Sequence, residues 1–260
     1  MDDQTFLNSV AGSLEGLTGV EAVALGGSRA QGTNRPDSDW DFSLYYRTDF
    51  NPAQIREFGW EGQATDIGGW GRIFNGGGAF TVEGRHIDIH YRDLNLIDRI
   101  HSDAERGEFT TEPLLFHQVG IPSYILLAEL SVNVTLRGVL PDWGYPIALR
   151  EAAPPIWWFG ADLTLFYARE AHAKHGRVAQ CAGLLSEAAC RTAHAILASR
   201  GEWVTNEKQL LTRAGLRQVD QFLSGLDEST DTLFAAAYEV RSLLEHAASV
   251  AGIPIHRQHT

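Results

Sequence analysis

The sequence predicts an α+β (α/β) chain, with a mixed β-sheet flanked by helices over residues 1–145 and a helical bundle over residues 146–260. Three observations carry this reading. Val20–Leu25, Trp40–Tyr46, Ala79–Glu83 and His86–Tyr91 are short apolar or alternating runs with the length and period of strands. Glycine-rich turns separate them. Beyond Pro146, Pro154 and Pro155 the strand signals nearly vanish, and long Ala- and Leu-rich stretches of helical period take over.

Taken in order, Phe6, Leu7, Val10, Leu14 and Leu17 recur at helical spacing, so an amphipathic helix over Asp3–Leu17 packs on the sheet. Val20–Leu25 is a buried strand. Gly26 to Asp41 then reads Gly-Gly-Ser-Arg-Ala-Gln-Gly-Thr-Asn-Arg-Pro-Asp-Ser-Asp-Trp-Asp, a glycine turn leading into an acidic strand that ends at Tyr45–Arg47. Asn51–Pro52 starts a helix through about Phe58. Between Gly59 and Gly78 there are eight glycines, which excludes a stable helix. The plain reading is a set of turns joining strands; the sharper one is a mobile cover with Arg72 available for phosphate. Ala79–Glu83 and His86–Tyr91, joined by Gly84–Arg85, form a hairpin. Helices are expected over Leu94–Glu105, Leu114–Val119 and Ser123–Leu136, and Leu136–Asp142 reads as a closing strand and turn. In the second part they are expected over Trp157–Ala173, Val178–Arg200, Asn206–Leu211 and Glu228–Ala251, with Trp157, Trp158, Phe159, Phe166 and Tyr167 spaced for a packed core.

Composition narrows the partners. The 260 residues are 44% hydrophobic, enough for one large domain or two ordinary ones. A net charge of −12 without any Lys/Arg-rich tract argues against a nucleic-acid partner and suits a cationic small substrate. Cys181 and Cys190 would not face one another on a helix, so neither a disulfide framework nor a cysteine zinc site is indicated. An acidic start without an apolar core excludes a signal peptide, and no run reaches the length of a membrane span. A soluble cytoplasmic protein is expected.

The chemistry gathers in the Gly26–Asp41 stretch. Gly26 and Gly27 let backbone approach a ligand, and N–H groups at a following helix start attract phosphate. Ser28 adds a hydroxyl donor or caps the helix; Arg29 adds a forked cation or pairs with a surface acid. Asp39 and Asp41, two apart on a strand, project from one face and offer Mg²⁺ its preferred hard oxygens. Asp37 fits a turn after Pro36. In the hairpin's second arm His86, Asp88 and His90 share one face, and an aspartate between Ile87 and Ile89 is costly unless that face lines a polar cavity. Glu83 reads as a solvated hairpin residue, and His86 and His90 as hydrogen-bonding neighbours of the carboxylate. Glu129, in an apolar helix, has a structural role or approaches an acceptor.

Gly27-Ser28, ten residues, then Asp39-x-Asp41 resembles the signature of the DNA polymerase β-like nucleotidyltransferase superfamily, in the branch of the aminoglycoside and minimal nucleotidyltransferases. The resemblance implies an N-terminal catalytic domain, ATP as nucleotide donor on Gly27, Ser28 and Arg29, and a third acidic residue on a strand beside the Asp-x-Asp strand, the position that Asp88 occupies. It implies two Mg²⁺ ions held by Asp39, Asp41 and Asp88, with Asp88 also placed to take the proton of the attacking hydroxyl. It implies transfer of AMP to a hydroxyl of a small, cationic acceptor such as an aminoglycoside, with the helical part helping to bind it. Relatives often dimerise, so a homodimer is among the implied partners, although no stretch identifies an interface. The alternative is a toxin–antitoxin enzyme that adenylylates a protein partner, with a HEPN-like helical part in which Arg241 and His246 match an RNase motif spacing. A nucleotide-binding module without turnover is disfavoured, because three mutually repelling carboxylates destabilise a fold that has no metal to hold. Polymerase activity would need a basic groove, which the sequence lacks.

Overall fold

The computed structural model of the chain describes residues 1–255. It falls into two compact units: Met1–Asp103, Thr110–Leu114 and Pro122–Gly144 form the first, and Ala104–Phe109, Leu115–Ile121 and the chain from Tyr145 onward form the second.

The first unit begins with α1 (Asp3–Glu15), whose amides are capped by Asp2. It continues through β1 (Val20–Leu25), α2 (Gly27–Ala30), β2 (Trp40–Tyr46), α3 (Ala53–Arg56), β3 (Glu61–Ala64), α4 (Gly71–Phe74), β4 (Gly77–Val82), β5 (Arg85–Asp93) and α5 (Leu94–Glu105). β6 (Thr111–Glu112), β7 (Ile121–Pro122), α6 (Ile125–Val132) and β8 (Val134–Arg137) follow. Six strands form one mixed sheet in the order β3-β4-β5-β2-β1-β8, in which β2 and β5 run parallel and the other neighbours antiparallel.

Strand alternation gives this sheet two unlike faces. Val23, Leu25, Trp40, Phe42, Leu44, Phe80, Ile87, Ile89 and Tyr91 make one, and α1 buries Phe6, Val10 and Leu14 against it. Each such side chain contributes about 1.5–3 kcal/mol when fully buried. The opposite face carries Ala22, Ala24, Asp41, Ser43, Tyr45, Ala79, Asp88, His90 and Arg92, a mixture of small and polar residues. α6 covers part of that face. Its Glu129 takes a bidentate ion pair from the buried Arg92, while Asn133 donates to Ser43 Oγ at 3.2 Å and Tyr45 Oη at 3.1 Å.

Several sequence expectations change. Four-residue α3 replaces the helix expected through Phe58, since Gly59 turns at φ +68°. Leu114–Val119 is a turn and not a helix, with Phe116 at φ +67°. α6 stops at Val132, where Asn133 turns extended, and β8 starts two residues before Leu136 because it pairs with β1. Within the glycine-rich stretch β3 adds an edge strand, and β5 pins the remainder: Arg92 donates to Phe74 O at 3.0 Å and stacks on the Phe74 ring. Asn75, at φ +66°, bonds Tyr46 Oη.

The second unit is helical, with α7 (Ile147–Tyr167), a π-helical turn over Ala168–His172, a 3₁₀ turn over Ala173–His175, α8 (Val178–Ser199), α9 (Leu210–Ala214), α10 (Val219–Leu223) and α11 (Thr230–Val250). α7 starts ten residues earlier than expected and holds Pro154 and Pro155 in its interior. Leu149, Ala153, Trp157, Ala161 and Leu165, four apart, are all buried, and their burial carries the helix through the missing N–H groups. Trp157 and Trp158 lie in the core as expected, but Phe159 and Tyr167 are exposed. α9 begins at Leu210, later than expected. Cys181 and Cys190 are buried free thiols. Among the described residues no helix is long and apolar enough to cross a membrane.

Candidate active site

The site sits on the polar face of the sheet. Gly26 N donates to Asp41 O at 2.7 Å, which ties the glycine turn to β2. Gly27 has φ +62°, and a Cβ there would collide with the Asp41 carboxylate. Gly26, not Ser28, is the N-cap of α2, and Ser28 lies inside that short helix with its carbonyl accepting from Thr33 N at 2.9 Å.

Arg29 is engaged with protein. Its Nη2 donates to Ser38 O at 2.7 Å, its Nε to Asp39 O at 3.1 Å, and its guanidinium lies 3.8 Å from the Trp40 ring centroid. The arginine thereby fixes the loop that delivers Asp39. Arg72 is exposed, and its backbone N–H donates to Glu112 Oε1 at 2.9 Å.

Parallel pairing of β2 and β5 sets Asp41 directly opposite Asp88 and Ser43 opposite His90. Asp88 is half-buried, Asp39 exposed. Burial pushes the Asp88 carboxyl up, the negative charge of Asp39 adds to the rise, and His86 opposes it. Burial pushes His90 down to about 4, with Arg92 adding to the fall, so this imidazole is neutral beside the carboxylates at neutral pH.

A cavity of about 360 Å³ opens on the outer side of Asp88. Its walls include Asp39, Glu61, Thr81, His86 and Asp88. One rung of the sheet places Glu61 opposite Thr81 and Thr81 opposite His86; the next places Gln63, Ala79, Asp88 and Asp41 in line. The small Ala79 leaves an open floor between Asp88 and the edge strand. Glu61 was not singled out in the sequence, because its relation to Asp88 depends on the pairing of β3 with β4 and of β4 with β5.

The three aspartates supply the hard oxygens that a divalent cation takes, and the repulsion between Asp39 and Asp88 is the kind that a cation relieves. Their donor chemistry therefore suits Mg²⁺, although among the described residues no group of three or more His, Cys, Asp or Glu side chains is already gathered to hold a metal.

In the helical unit, Arg241 Nη1 donates to Asp162 Oδ1 at 2.7 Å and Glu245 Oε1 at 3.1 Å, and His246 is exposed.

Comparison with known proteins adds the following. Among solved structures, a nucleotidyltransferase-like protein from Exiguobacterium sibiricum is similar over 96% of this chain and 75% of its own, at 10% identity and a TM-score of 0.44. No curated protein matches the chain. Residues 7–103 match the family model described as a nucleotidyltransferase domain, a span containing Gly27, Asp39, Asp41 and Asp88. The first unit is thus similar, over residues 7–103, to a nucleotidyltransferase domain.

Proposed function

We propose that the protein is a Mg²⁺-dependent adenylyltransferase that moves AMP from ATP onto a hydroxyl of a small cationic molecule of the aminoglycoside kind. The observation that carries this reading is the register of Asp41 with Asp88, with the Gly26–Arg29 turn against Asp41 and a carboxylate-walled cavity beyond Asp88. In the reaction the acceptor oxygen attacks the α-phosphorus, the bond from that phosphorus to the α,β-bridging oxygen breaks, and pyrophosphate leaves. The turn at Gly27–Arg29 receives phosphate oxygens through backbone N–H groups. Asp88 takes the acceptor's proton. Asp39, Asp41 and Asp88 would hold two Mg²⁺ ions, which when bound would neutralise triphosphate charge and lower the pKa of the attacking hydroxyl.

The acceptor lies on the Ala79 floor with its amines toward Glu61. An anion would be repelled there, because Asp39, Glu61 and Asp88 are acidic and no Lys or Arg lines the cavity. The alternative, adenylylation of a protein partner by an enzyme with a HEPN-like helical part, is not the reading we carry, since Asp162 and Glu245 engage Arg241.

The test is pyrophosphate release from ATP and Mg²⁺ across amino-sugar antibiotics and their neutral sugar counterparts, with Asp41→Asn and Glu61→Gln alongside. Release is expected only with cationic acceptors, is abolished by Asp41→Asn, and shows a raised acceptor KM with retained kcat in Glu61→Gln. Release without an acceptor preference for amines, or a labelled protein in place of a labelled small molecule, overturns the reading.

A further inference from the structure

Trp70 lies over the polar face of the sheet. Gly77 pairs with His90 and Ala79 with Asp88, so positions 77, 79 and 81 of β4 project from the face that carries Asp88. Trp70 fills the first of them. A Cβ on Gly77 would run into the six-membered ring of its indole, and the indole meets His90 edge to face with ring centroids 5.9 Å apart. Ala79, about 7 Å further along the strand, is exposed. Thr81, opposite Glu61, ends the row. The open floor beside Asp88 is thus bounded by an indole at one end and a carboxylate at the other. Trp60, before β3, packs instead on the apolar face with Phe58 and Phe80, whereas Trp70 keeps part of its surface open on the polar one.

Displacement at phosphorus decides which ligand meets this indole, because the attacking oxygen stands opposite the leaving one. Phosphate oxygens on the Gly27–Arg29 turn lie at the end of β1, and the strand order β1-β2-β5-β4 leads from that turn past Asp41 and Asp88 to Ala79. Pyrophosphate therefore departs toward β1, and the acceptor stands over β4. We propose that Trp70 sets acceptor specificity, as the wall on which the C–H face of an amino-sugar ring stacks while its amine reaches Glu61; the inference rests on the nucleotidyl-transfer reading above. The face of an indole is electron-rich, and the C–H groups of a ring bearing ammonium substituents are polarised positive, so the two attract. The contact also takes apolar surface of both partners out of water. An acyclic amino alcohol offers Glu61 the same charge but gives Trp70 no ring face.

The test uses the full chain with kanamycin as the amino-sugar probe, read by pyrophosphate release with ATP and Mg²⁺ and by titration calorimetry without ATP. Trp70→Leu is expected to raise the KM for kanamycin and weaken its Kd by about 10-fold each, with kcat nearly unchanged. Trp70→Phe, which keeps an aromatic face, restores most of the affinity and abolishes the change in tryptophan fluorescence that kanamycin causes in the wild type. Trp60→Leu lowers Tm and leaves the KM for kanamycin as it was. Should Trp70→Leu fail to fold, the fluorescence of Trp70→Phe decides. Pyrophosphate release with an unchanged KM and Kd in Trp70→Leu, a fluorescence change that persists in Trp70→Phe, or an equal loss of affinity in Trp60→Leu overturns this inference and leaves the functional reading standing. No release and no binding with kanamycin or any other amino sugar in the wild type overturns both.

Discussion

Gly27 and Asp41 are shaped to each other: the glycine's left-handed backbone and missing side chain leave the space in which the Asp41 carboxylate lies. Gly27→Ala would set a methyl group on that carboxylate and strain the backbone by about 1–2 kcal/mol. Expected is a loss of kcat of about 100-fold or more from the displaced carboxylate, well beyond what a modest fall in Tm explains. Steady-state kinetics together with a melt check it.

Asp88 should report on cation binding through stability. Its folded carboxyl is held up by burial and by Asp39, so the folded state keeps a proton that the unfolded chain has released. Stability from this group is therefore present at low pH and is lost as pH rises through the folded pKa. At pH 7.5 without metal, Asp88→Asn is expected to melt above the wild type and to be inactive. Added Mg²⁺ should raise the wild-type Tm and leave the variant nearly unchanged, which calorimetry measures directly.

His194 and His90 work in the opposite direction. His194 is stacked at 4.6 Å on Trp157, and burial pushes it down to about 3, with His117 and Arg191 adding to the fall; His90 stands at about 4. Both are neutral when folded, and the unfolded chain takes up their protons below about 6.5. Their contribution is complete above that pH and shrinks on acidification, by up to about 1.4 kcal/mol per pH unit for each. The urea midpoint should fall from pH 7.5 to pH 5, and His194→Phe should flatten that fall.

The Arg92–Glu129 pair is the buried charge that the polar face cannot lose singly. Arg92→Met leaves Glu129 uncompensated and is expected to cost about 3–5 kcal/mol, whereas Arg92→Met with Glu129→Leu should return most of it. Urea unfolding of the three proteins closes the cycle.

Local sequence specifies the strands Val20–Leu25 and Trp40–Tyr46, the helix Leu94–Glu105 and the change to a helical second part, because apolar period and glycine turns are local signals that packing here reinforces. It also set which residues share a strand face, hence that Asp88 and His90 point away from Ile87 and Ile89. It could not place Leu114–Val119, whose apolar residues imitate helical spacing while Phe116 turns left-handed. Nor could it show that Phe159 and Tyr167 leave the core, since the period of α7 fits two stripes and only the packing of its neighbours decides which is buried. The juxtapositions at the site belong to tertiary structure alone. Asp41 meets Asp88 through parallel pairing across more than forty residues of chain, Glu61 reaches the same cavity through two further pairings, and Arg29 is drawn to Ser38, Asp39 and Trp40 by the path of the loop between them. Strand order and register are set by long-range burial, which local sequence period does not encode.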